Sequence, residues 1–365
     1  MSEKKFAIVF FCVIEGFFLL NVLFWHVAVR PTFYDKDGHG DLARLGSYRC
    51  SYSMTKIPHY AKTHINFTDY LRMEDKPKID IVTIGDSYSN GAAGSWYQDY
   101  LADRYGKSVL HINIAGYEPA ELLIMIEQSG WMQEMAPKVV ILESVERKMQ
   151  DRYGRRDIKA PEISKEKIIQ KYVPKNIGTH QQENQQNLSK QNQLQSVMLE
   201  ANKRYVHNKL KYANNSKQVS DDVNVETLEC PLFTNQNQEN ILLFYHDEFW
   251  YKEEIPDYVT INQVINDLSD RCKRHNIKLV FMTCVDKFDL YYPYIKDKND
   301  SAENPFFEEF EKYPKQYIFI NTKKILRTML DEGEQDVYWM DDTHWSWKGQ
   351  QRVVDYLMNE LSAVL

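Results

Sequence analysis

The sequence lacks an excess of positive charge. It carries 45 Lys and Arg residues against 52 Asp and Glu residues, which gives a formal net charge of −7 at pH 7. A protein that binds nucleic acid usually presents a basic stripe that displaces counterions from phosphates, and the sequence has no such stripe. The composition therefore argues against nucleic acid as a partner.

Cysteine is also scarce, with five residues in a chain of 365. None has the Cys-x-x-Cys spacing typical of structural zinc sites, and we predict neither a metal nor another cofactor. Cys12 lies in an apolar run, and the other four allow three disulfide connectivities. Buried unpaired thiols remain an equal alternative for these four, which are Cys50, Cys230, Cys272 and Cys284.

One long apolar run stands at the N-terminus. Residues 6–29 read FAIVFFCVIEGFFLLNVLFWHVAV, enough at about 1.5 Å per residue to cross a hydrocarbon layer of about 30 Å. Glu15 costs about 3 kcal/mol inside a span, which the many Phe, Leu, Ile and Val residues can offset. No Ala-x-Ala type of cleavage site follows. We therefore predict an uncleaved anchor in residues 1–30, with a cleaved signal peptide as the alternative.

Lys4 and Lys5 precede the apolar run. Positive residues flanking a span favour the cytoplasmic side. The pair therefore predicts a single-pass protein of the cytoplasmic membrane, whose bulk lies on the extracytoplasmic (periplasmic) side.

Short apolar runs alternate with helical periodicity after a polar linker and lead-in at residues 31–76. Strands are predicted at 79–84, 108–114 and 138–144, with a helix-type pattern in each interval. This alternation predicts an α/β domain over residues 77–365, with a parallel sheet that is covered on both faces.

A polar insertion at about residues 150–240 interrupts the alternation, and its tract at 181–196 is rich in Gln and Asn. The tract predicts an exposed helical excursion or a loop. Helix and strand patterns resume afterwards, so one domain with an insertion fits better than two domains. The resumed pattern predicts helices at 260–276, 323–333 and 347–365, and strands at 277–285 and 316–322.

The first predicted strand ends at Gly85-Asp86-Ser87. In an open parallel sheet, ligands bind at the carboxyl ends of the strands, which is where this tripeptide falls. The small residues that follow, Asn90, Gly91, Ala92 and Ala93, allow close approach of an anion to the start of a helix. Taken alone the tripeptide is an ordinary turn.

A second polar group precedes the last predicted helix, in the segment VYWMDDTHWSWKGQQ. A serine hydroxyl needs a base to act as a nucleophile at neutral pH, usually a histidine whose other ring nitrogen is held by a carboxylate. His344 supplies the base, and either Asp341 or Asp342 supplies the acid. Together with Ser87 these residues predict a catalytic triad.

The segments GDSYSNG and DDTHWSWKG resemble the blocks of the SGNH (GDSL-like) hydrolase superfamily, over about residues 79–362. Residues 141–149 and 278–294 are similar to the AlgX/AlgJ-like alginate O-acetyltransferase branch, as is the DTHW segment. In that branch the Asp-x-His-Trp block precedes the serine block, whereas here it follows. The resemblance implies a three-layer α/β/α sandwich.

The resemblance also implies roles for individual residues. Superfamily spacing selects Asp341 as the acid, and the Asp-Thr-His-Trp form selects Asp342, which we favour. The Ser87 and Gly116 N–H groups would bind the oxyanion. The Gly-x-Asn-Asp block that usually adds a third donor is missing, and Arg147 is a possible replacement.

Aromatic and basic residues near these blocks are candidates for contact with a sugar. Lys287 and Tyr291 are expected to line a sugar groove, although a surface lysine and a packed tyrosine are the alternatives. Trp345 would either stack on a sugar ring or pack on the sheet.

The function expected from these features is that of a membrane-anchored extracytoplasmic O-acyltransferase, with acetyl the favoured group, acting on a cell-envelope or exported polysaccharide. By resemblance, a membrane-bound O-acyltransferase would act as its acyl donor. The alternatives are a carbohydrate O-acetylesterase of the same fold and a non-catalytic subunit of a polysaccharide-assembly complex. A metal-dependent phosphoesterase would need more histidine ligands in the matching loops than the sequence offers.

Overall fold

A computed structural model gives the protein's structure and contains an α/β fold built on one parallel sheet. It describes residues 3–33, 40–48, 50–91, 95–114, 116–158, 160–161, 163–173, 183–214, 217–252, 255–298 and 302–365, without the side chains of 32–33 and 183–197. Ala92 and Ala93, which were expected to flank the serine turn, lie outside these residues.

Eight strands are present in the part of the chain that the structure describes, six of them in the parallel sheet and two in a separate hairpin. The sheet order is β1-β3-β2-β4-β7-β8, and every neighbouring pair is parallel. In chain order the strands are β1 Ile65–Asn66, β2 Ile81–Gly85, β3 Val109–Asn113, β4 Val139–Val145, β5 Val223–Thr227, β6 Ile241–Tyr245, β7 Lys278–Cys284 and β8 Ile318–Asn321.

Most helices connect one strand to the next, as a parallel sheet requires. They are α1 Glu3–Phe24, α2 Arg30–Phe33, α3 Asp41–Gly46, α4 Phe67–Arg72, α5 Tyr97–Tyr105, α6 Pro119–Gln128, α7 Trp131–Met135, α8 Met149–Tyr153, α9 Lys165–Tyr172, α10 Glu183–Ala213, α11 Tyr258–Lys273, α12 Lys287–Tyr291, α13 Phe306–Phe310, α14 Thr322–Asp331 and α15 Trp347–Glu360. A π-helical turn, Trp25–Val29, continues α1.

The centre of the sheet is covered on both faces. Every residue of β2 and β4 is buried, although successive side chains of a strand point to opposite sides. Helices α6 and α11 pack on each other and on the central strands, while α5, α14 and α15 pack together elsewhere on the sheet. The expected α/β fold with a parallel sheet is confirmed, and the predicted strands at 79–84, 108–114 and 138–144 correspond to β2, β3 and β4.

The N-terminal helix is long and apolar enough to cross a membrane. Glu3–Val29 forms a continuous helical stretch of 27 residues, whose most apolar part is not buried in the fold. Its C-terminal end packs against α10, where Trp25, Val29 and Ala201 form a small apolar cluster. In the same region the Asn202 side chain donates a hydrogen bond of 3.1 Å to the backbone carbonyl of Asn21.

The C-terminal part of α10 contacts the segment that follows the N-terminal helix. Asn208 donates from its side chain to the Leu45 carbonyl at 3.1 Å and to the Ser47 hydroxyl at 3.2 Å. The rings of Tyr48 and Tyr212 also meet edge to face. Part of the predicted linker is therefore packed, because α10 contacts both the apolar helix and residues 45–48.

The polar insertion contains a long helix, one of the two alternatives predicted for its Gln/Asn-rich tract, and a hairpin that the sequence analysis did not predict. Of its Gln/Asn-rich tract, residues 183–196 belong to α10, and residues 181–182 lie outside the described residues. The antiparallel hairpin of β5 and β6 closes the insertion. All five cysteines are free thiols, so the disulfides considered from the sequence are not formed.

Gly85 lies at a crowded position that tests the packing beneath the serine turn. A Cβ atom there would overlap the Glu143 carboxylate and the Ser89 hydroxyl. We expect Gly85→Ala to lower the free energy of unfolding by about 1–3 kcal/mol, the usual cost of overpacking a core. Urea denaturation in detergent would measure it.

A double-mutant cycle provides the control. In a Glu143→Ala background the overlapping carboxylate is gone, so the added cost of Gly85→Ala should become smaller, while the Ser89 hydroxyl still crowds the position. Equal costs in the two backgrounds would contradict the packing explanation.

Candidate functional site

Ser87 stands at the carboxyl edge of the sheet, two residues beyond the end of β2. It is exposed, whereas its neighbours Asp86 and Tyr88 are buried. A hydrogen bond within the turn stabilises its backbone, because the Tyr88 N–H donates to Asp86 Oδ1 at 3.2 Å. This arrangement presents one hydroxyl to solvent on an anchored backbone.

His344 contacts this hydroxyl from the loop between α14 and α15. The Ser87 hydroxyl lies 2.7 Å from Nε2 of His344, and Nδ1 of the same ring lies 2.6 Å from Oδ1 of Asp342. The His344 backbone N–H also donates to this carboxylate oxygen, at 3.0 Å. A hydrogen-bonded chain of serine, imidazole and carboxylate therefore runs across the sheet edge.

The charge state of Asp342 suits a partner of histidine. Burial alone would raise the pKa of this carboxyl, but the hydrogen bond and charge of His344 more than compensate, and the net pKa is below the ordinary value. Asp342 is therefore ionised at neutral pH. A carboxylate in this position holds the ring with Nε2 facing the serine and stabilises the imidazolium.

Asp341 has a different role in the same loop. Its Oδ2 accepts the Gly40 N–H at 2.9 Å, and its backbone carbonyl accepts the Ala43 N–H at 3.1 Å. Burial raises the pKa of its carboxyl. Of the two carboxylates left open by the sequence, the structure places Asp342 against the imidazole and Asp341 against residues 40–43, in the segment that follows the N-terminal helix.

Asp41 is a site residue that the sequence analysis missed, because it lies in the predicted linker. Its Oδ1 accepts the Thr343 N–H at 2.8 Å, and its own N–H donates to Oδ2 of Asp342 at 3.3 Å. Burial, followed by the nearby charge of Asp342, raises the pKa of Asp41 to about 6. The only signal in the sequence was an acidic residue after Gly40 at a helix start.

Asp41, Asp342 and His344 are close enough to be considered as metal ligands, since their ligand atoms lie within 4.8 Å of one another. However, Nδ1 of the ring is hydrogen-bonded to Asp342 and Nε2 to Ser87. A neutral imidazole has one lone pair, which the serine hydroxyl already uses. The group therefore suits proton transfer better than metal binding.

Lys287 does not line a groove, which corrects the first sugar-contact expectation. The side chain is fully buried at the start of α12 and donates to three backbone carbonyls of the histidine loop. The distances are 2.6 Å to Trp339, 2.7 Å to Met340 and 3.1 Å to Asp342. Burial lowers the pKa of this ammonium to about 8. Lys287 therefore holds the loop that carries His344.

Tyr291 and Trp345 are also core residues, and neither has surface for a sugar. The Tyr291 hydroxyl accepts the Tyr338 N–H at 3.2 Å, and Trp345 is 1% exposed and meets the ring of Tyr88 edge to face. The expectation that Tyr291 contacts substrate is corrected in favour of packing, and of the two alternatives for Trp345 the structure shows packing. They support the loop from its inner side.

The two residues proposed to complete the oxyanion hole differ in their surroundings. Gly116 is exposed on the loop after β3, with a left-handed φ of 88° and open space around its α-carbon. Arg147 is held by Asp286, with 2.5 Å between Nη1 and Oδ1, and lies over the Tyr245 ring. Arg147 is therefore paired with Asp286 through one of its nitrogens, and its assignment as the missing donor stays a prediction.

Buried carboxyls surround the site on its inner side. Glu143 is fully buried below the serine turn and accepts the Ser89 hydroxyl at 2.8 Å. Burial and then the charge of Asp86 raise its pKa well above the ordinary value, which favours the protonated form of Glu143. The burial of Glu143 could not be recognised from the sequence, because its neighbours in the fold come from distant segments.

The chain matches no protein-family model, no curated protein and no solved structure.

Replacing Lys287 tests the support of the histidine loop. We expect Lys287→Met to lower the free energy of unfolding by about 3 kcal/mol or more, because three buried carbonyls lose their donor. Lys315→Met is a matched control, because Lys315 also donates to two backbone carbonyls but is only partly buried. Its cost should be about 1 kcal/mol or less. Similar costs for the two variants would contradict the assigned role.

Buried acids near the site also predict how stability depends on pH. Burial, and then the charge of Asp286, raises the pKa of Glu248 to about 8. Burial raises the pKa of Asp289 to about 7, against the opposing effect of Lys323. The folded chain therefore keeps protons that the unfolded chain releases near pH 4, and stability should fall as the pH rises from about 5 to 8.

Glu248→Gln should flatten this slope by up to about 1.4 kcal/mol per pH unit, since one titrating group is removed. Urea unfolding at several pH values would measure the slope. Glu309→Gln, at a partly exposed glutamate, is the control and should leave the slope unchanged. A slope that Glu248→Gln does not alter would show that this carboxyl is already ionised in the fold.

Proposed function

We propose that this chain is a membrane-anchored, extracytoplasmic serine O-acyltransferase of the SGNH type, which moves an acetyl or similar group onto a cell-envelope or exported polysaccharide. The observation that carries the proposal is the hydrogen-bonded chain of Ser87, His344 and Asp342 at the carboxyl edge of a parallel sheet. The three-layer α/β/α sandwich of that superfamily is part of the proposal; the full burial of β4 and the two separate groups of helices that pack on the sheet support it.

The mechanism begins with proton transfer at Ser87. His344 Nε2 takes the hydroxyl proton as Oγ attacks the acyl carbonyl, and Asp342 stabilises the imidazolium that forms. The carbonyl oxygen gains negative charge, which the Ser87 and Gly116 N–H groups would bind. When the intermediate collapses, the leaving group takes the proton from His344 and the acyl group remains on Ser87.

The second half of the reaction reverses these roles. A sugar hydroxyl loses its proton to His344 Nε2 and attacks the acyl-enzyme, which releases the acylated sugar and restores the serine. Water in place of the sugar hydroxyl would make the chain an O-acetylesterase. The exposure of Ser87 supports this second candidate, because solvent can reach the acyl group. The intact hydrogen-bonded chain argues against a non-catalytic subunit.

The remaining parts of the proposal concern place and partners. The N-terminal helix supports anchoring in the cytoplasmic membrane, with the domain outside the cytoplasm. A membrane-bound O-acyltransferase is proposed as the acyl donor, on the resemblance to the alginate O-acetyltransferase branch.

Turnover of p-nitrophenyl acetate and labelling by a serine-reactive phosphonate test the nucleophile, with the full chain in detergent. Ser87→Ala should abolish labelling and turnover, and Asp342→Asn should lower turnover by roughly 10³-fold or more. Asp341→Asn is the matched control and should change the rate only slightly, because Asp341 does not hold the imidazole. Turnover and labelling that do not depend on Ser87 would defeat the enzyme proposal.

Transfer is separated from hydrolysis by adding acceptors to the same reaction. Mass spectrometry of neutral, acidic and amino oligosaccharides should show an acetyl group gained in the presence of p-nitrophenyl acetate. Release of acetate alone, with every acceptor unmodified, would favour the esterase.

A further inference from the structure

Arg152 makes three short contacts close to the proposed nucleophile. It lies on α8, shortly after β4, and its side chain is 11% exposed. Nη1 is 2.5 Å from Oδ2 of Asp86 and 2.8 Å from Oγ of Ser144, while Nε is 2.7 Å from Oε2 of Glu118. One guanidinium group therefore joins three separate segments of the chain.

Two of these segments follow neighbouring strands of the sheet, and the third, with Ser144, belongs to β4. Asp86 directly precedes Ser87 on the turn after β2, and Glu118 lies two residues beyond Gly116 on the loop after β3. The strands β2 and β3 pair in register, with Gly85 opposite Asn113. Arg152 therefore connects the two loops whose backbone N–H groups are the proposed oxyanion donors.

We propose that Arg152 is a positioning residue that fixes the spacing between the Ser87 and Gly116 N–H groups. In this proposal, the fixed spacing of these two donors compensates for the third donor that the missing Gly-x-Asn-Asp block would provide. The proposal rests on the proposed function, since it assigns a role in the same oxyanion hole. A guanidinium suits this role because its donors form a rigid planar fork, so two acceptors bound to it keep a fixed separation.

Asp86 and Glu118 differ in burial, so the effect of Arg152 on loop geometry can be separated from its effect on stability. Asp86 is buried, and burial alone would raise its pKa, but Arg152 lowers the pKa below the ordinary value. Glu118 is half exposed, with 53% of its side chain accessible. An ion pair with such a group adds at most about 1 kcal/mol to stability. The contact with Glu118 therefore contributes mainly geometry.

Glu118 also caps α6, which makes a mild variant possible. Its side chain accepts an N–H of the first helical turn, and its own N–H donates to Glu121. Glu118→Gln keeps an oxygen for the cap but removes the charge that holds Arg152. This variant should release the Gly116 loop while the helix and the fold remain intact.

The test measures kcat and KM for p-nitrophenyl acetate, together with inhibition by benzeneboronic acid, in the full chain. Benzeneboronic acid bonded to Ser87 is tetrahedral and places a hydroxyl where the oxyanion forms. We expect Arg152→Met to lower kcat and to weaken the inhibitor by about 100-fold each, with KM nearly unchanged, as for loss of an oxyanion donor. Arg152→Lys and Glu118→Gln should each cause a loss of about tenfold.

Arg271→Met is the matched control. Arg271 on α11 forms a comparable pair with Glu127, with 2.9 Å between Nη1 and Oε2. Its loss should leave kcat and inhibitor affinity unchanged. Because Glu118→Gln and Arg152→Lys preserve the fold, the test does not depend on whether Arg152→Met folds.

The outcomes separate this proposal from the proposed function. Wild-type kcat and inhibitor affinity in both Glu118→Gln and Arg152→Lys would overturn the positioning role alone. A loss confined to KM would also overturn it, since an oxyanion effect acts on the transition state. Absence of Ser87-dependent turnover in the wild type would overturn the proposed function, and the positioning role with it.

Discussion

A buried ammonium group holds the histidine loop in place, and the geometry of the site depends on it. Lys287 follows β7 closely and donates to three carbonyls of the loop that carries Asp342 and His344. A buried charge is costly unless it is hydrogen-bonded, and this one uses all three of its donors. The loop is thereby tied to the same sheet edge at which β2 presents Ser87. The hydrogen bond between serine and histidine follows from this shared edge.

The sequence predicted the parts of the molecule that are encoded locally. The strands β2, β3 and β4 are short runs of apolar and β-branched residues, and such runs need no distant partner to be recognised. Ser87 and His344 were also found, because their chemistry and their positions at the ends of predicted elements are visible in the chain. The same reasoning could not choose between Asp341 and Asp342, since both are within reach of the ring.

The residues that were missed or misassigned depend on long-range contacts between polar groups. Asp41 meets Thr343 across about three hundred positions of sequence. Lys287 looked like a surface residue because lysine is rarely buried. Arg147 and Arg152 are five residues apart in one polar segment, and only the fold shows that the first faces Asp286 and the second Asp86. The spacing of residues along the chain does not indicate which of these polar side chains pair in the fold.

The contacts of α10 have a consequence for where the serine can work. Seven residues separate Phe33 from Asp41, so the eight peptide steps between them span at most about 28 Å, and α2 also packs against α3. Because α10 contacts both the apolar helix and residues 45–48, the domain is packed against that helix rather than joined to it only by a flexible linker. With that helix in a bilayer, Ser87 would stay at a nearly constant height above the lipid. Ser87 would therefore meet its reactants within a layer parallel to the membrane. A reactant held by the same membrane reaches a far higher effective concentration in that layer than one in solution.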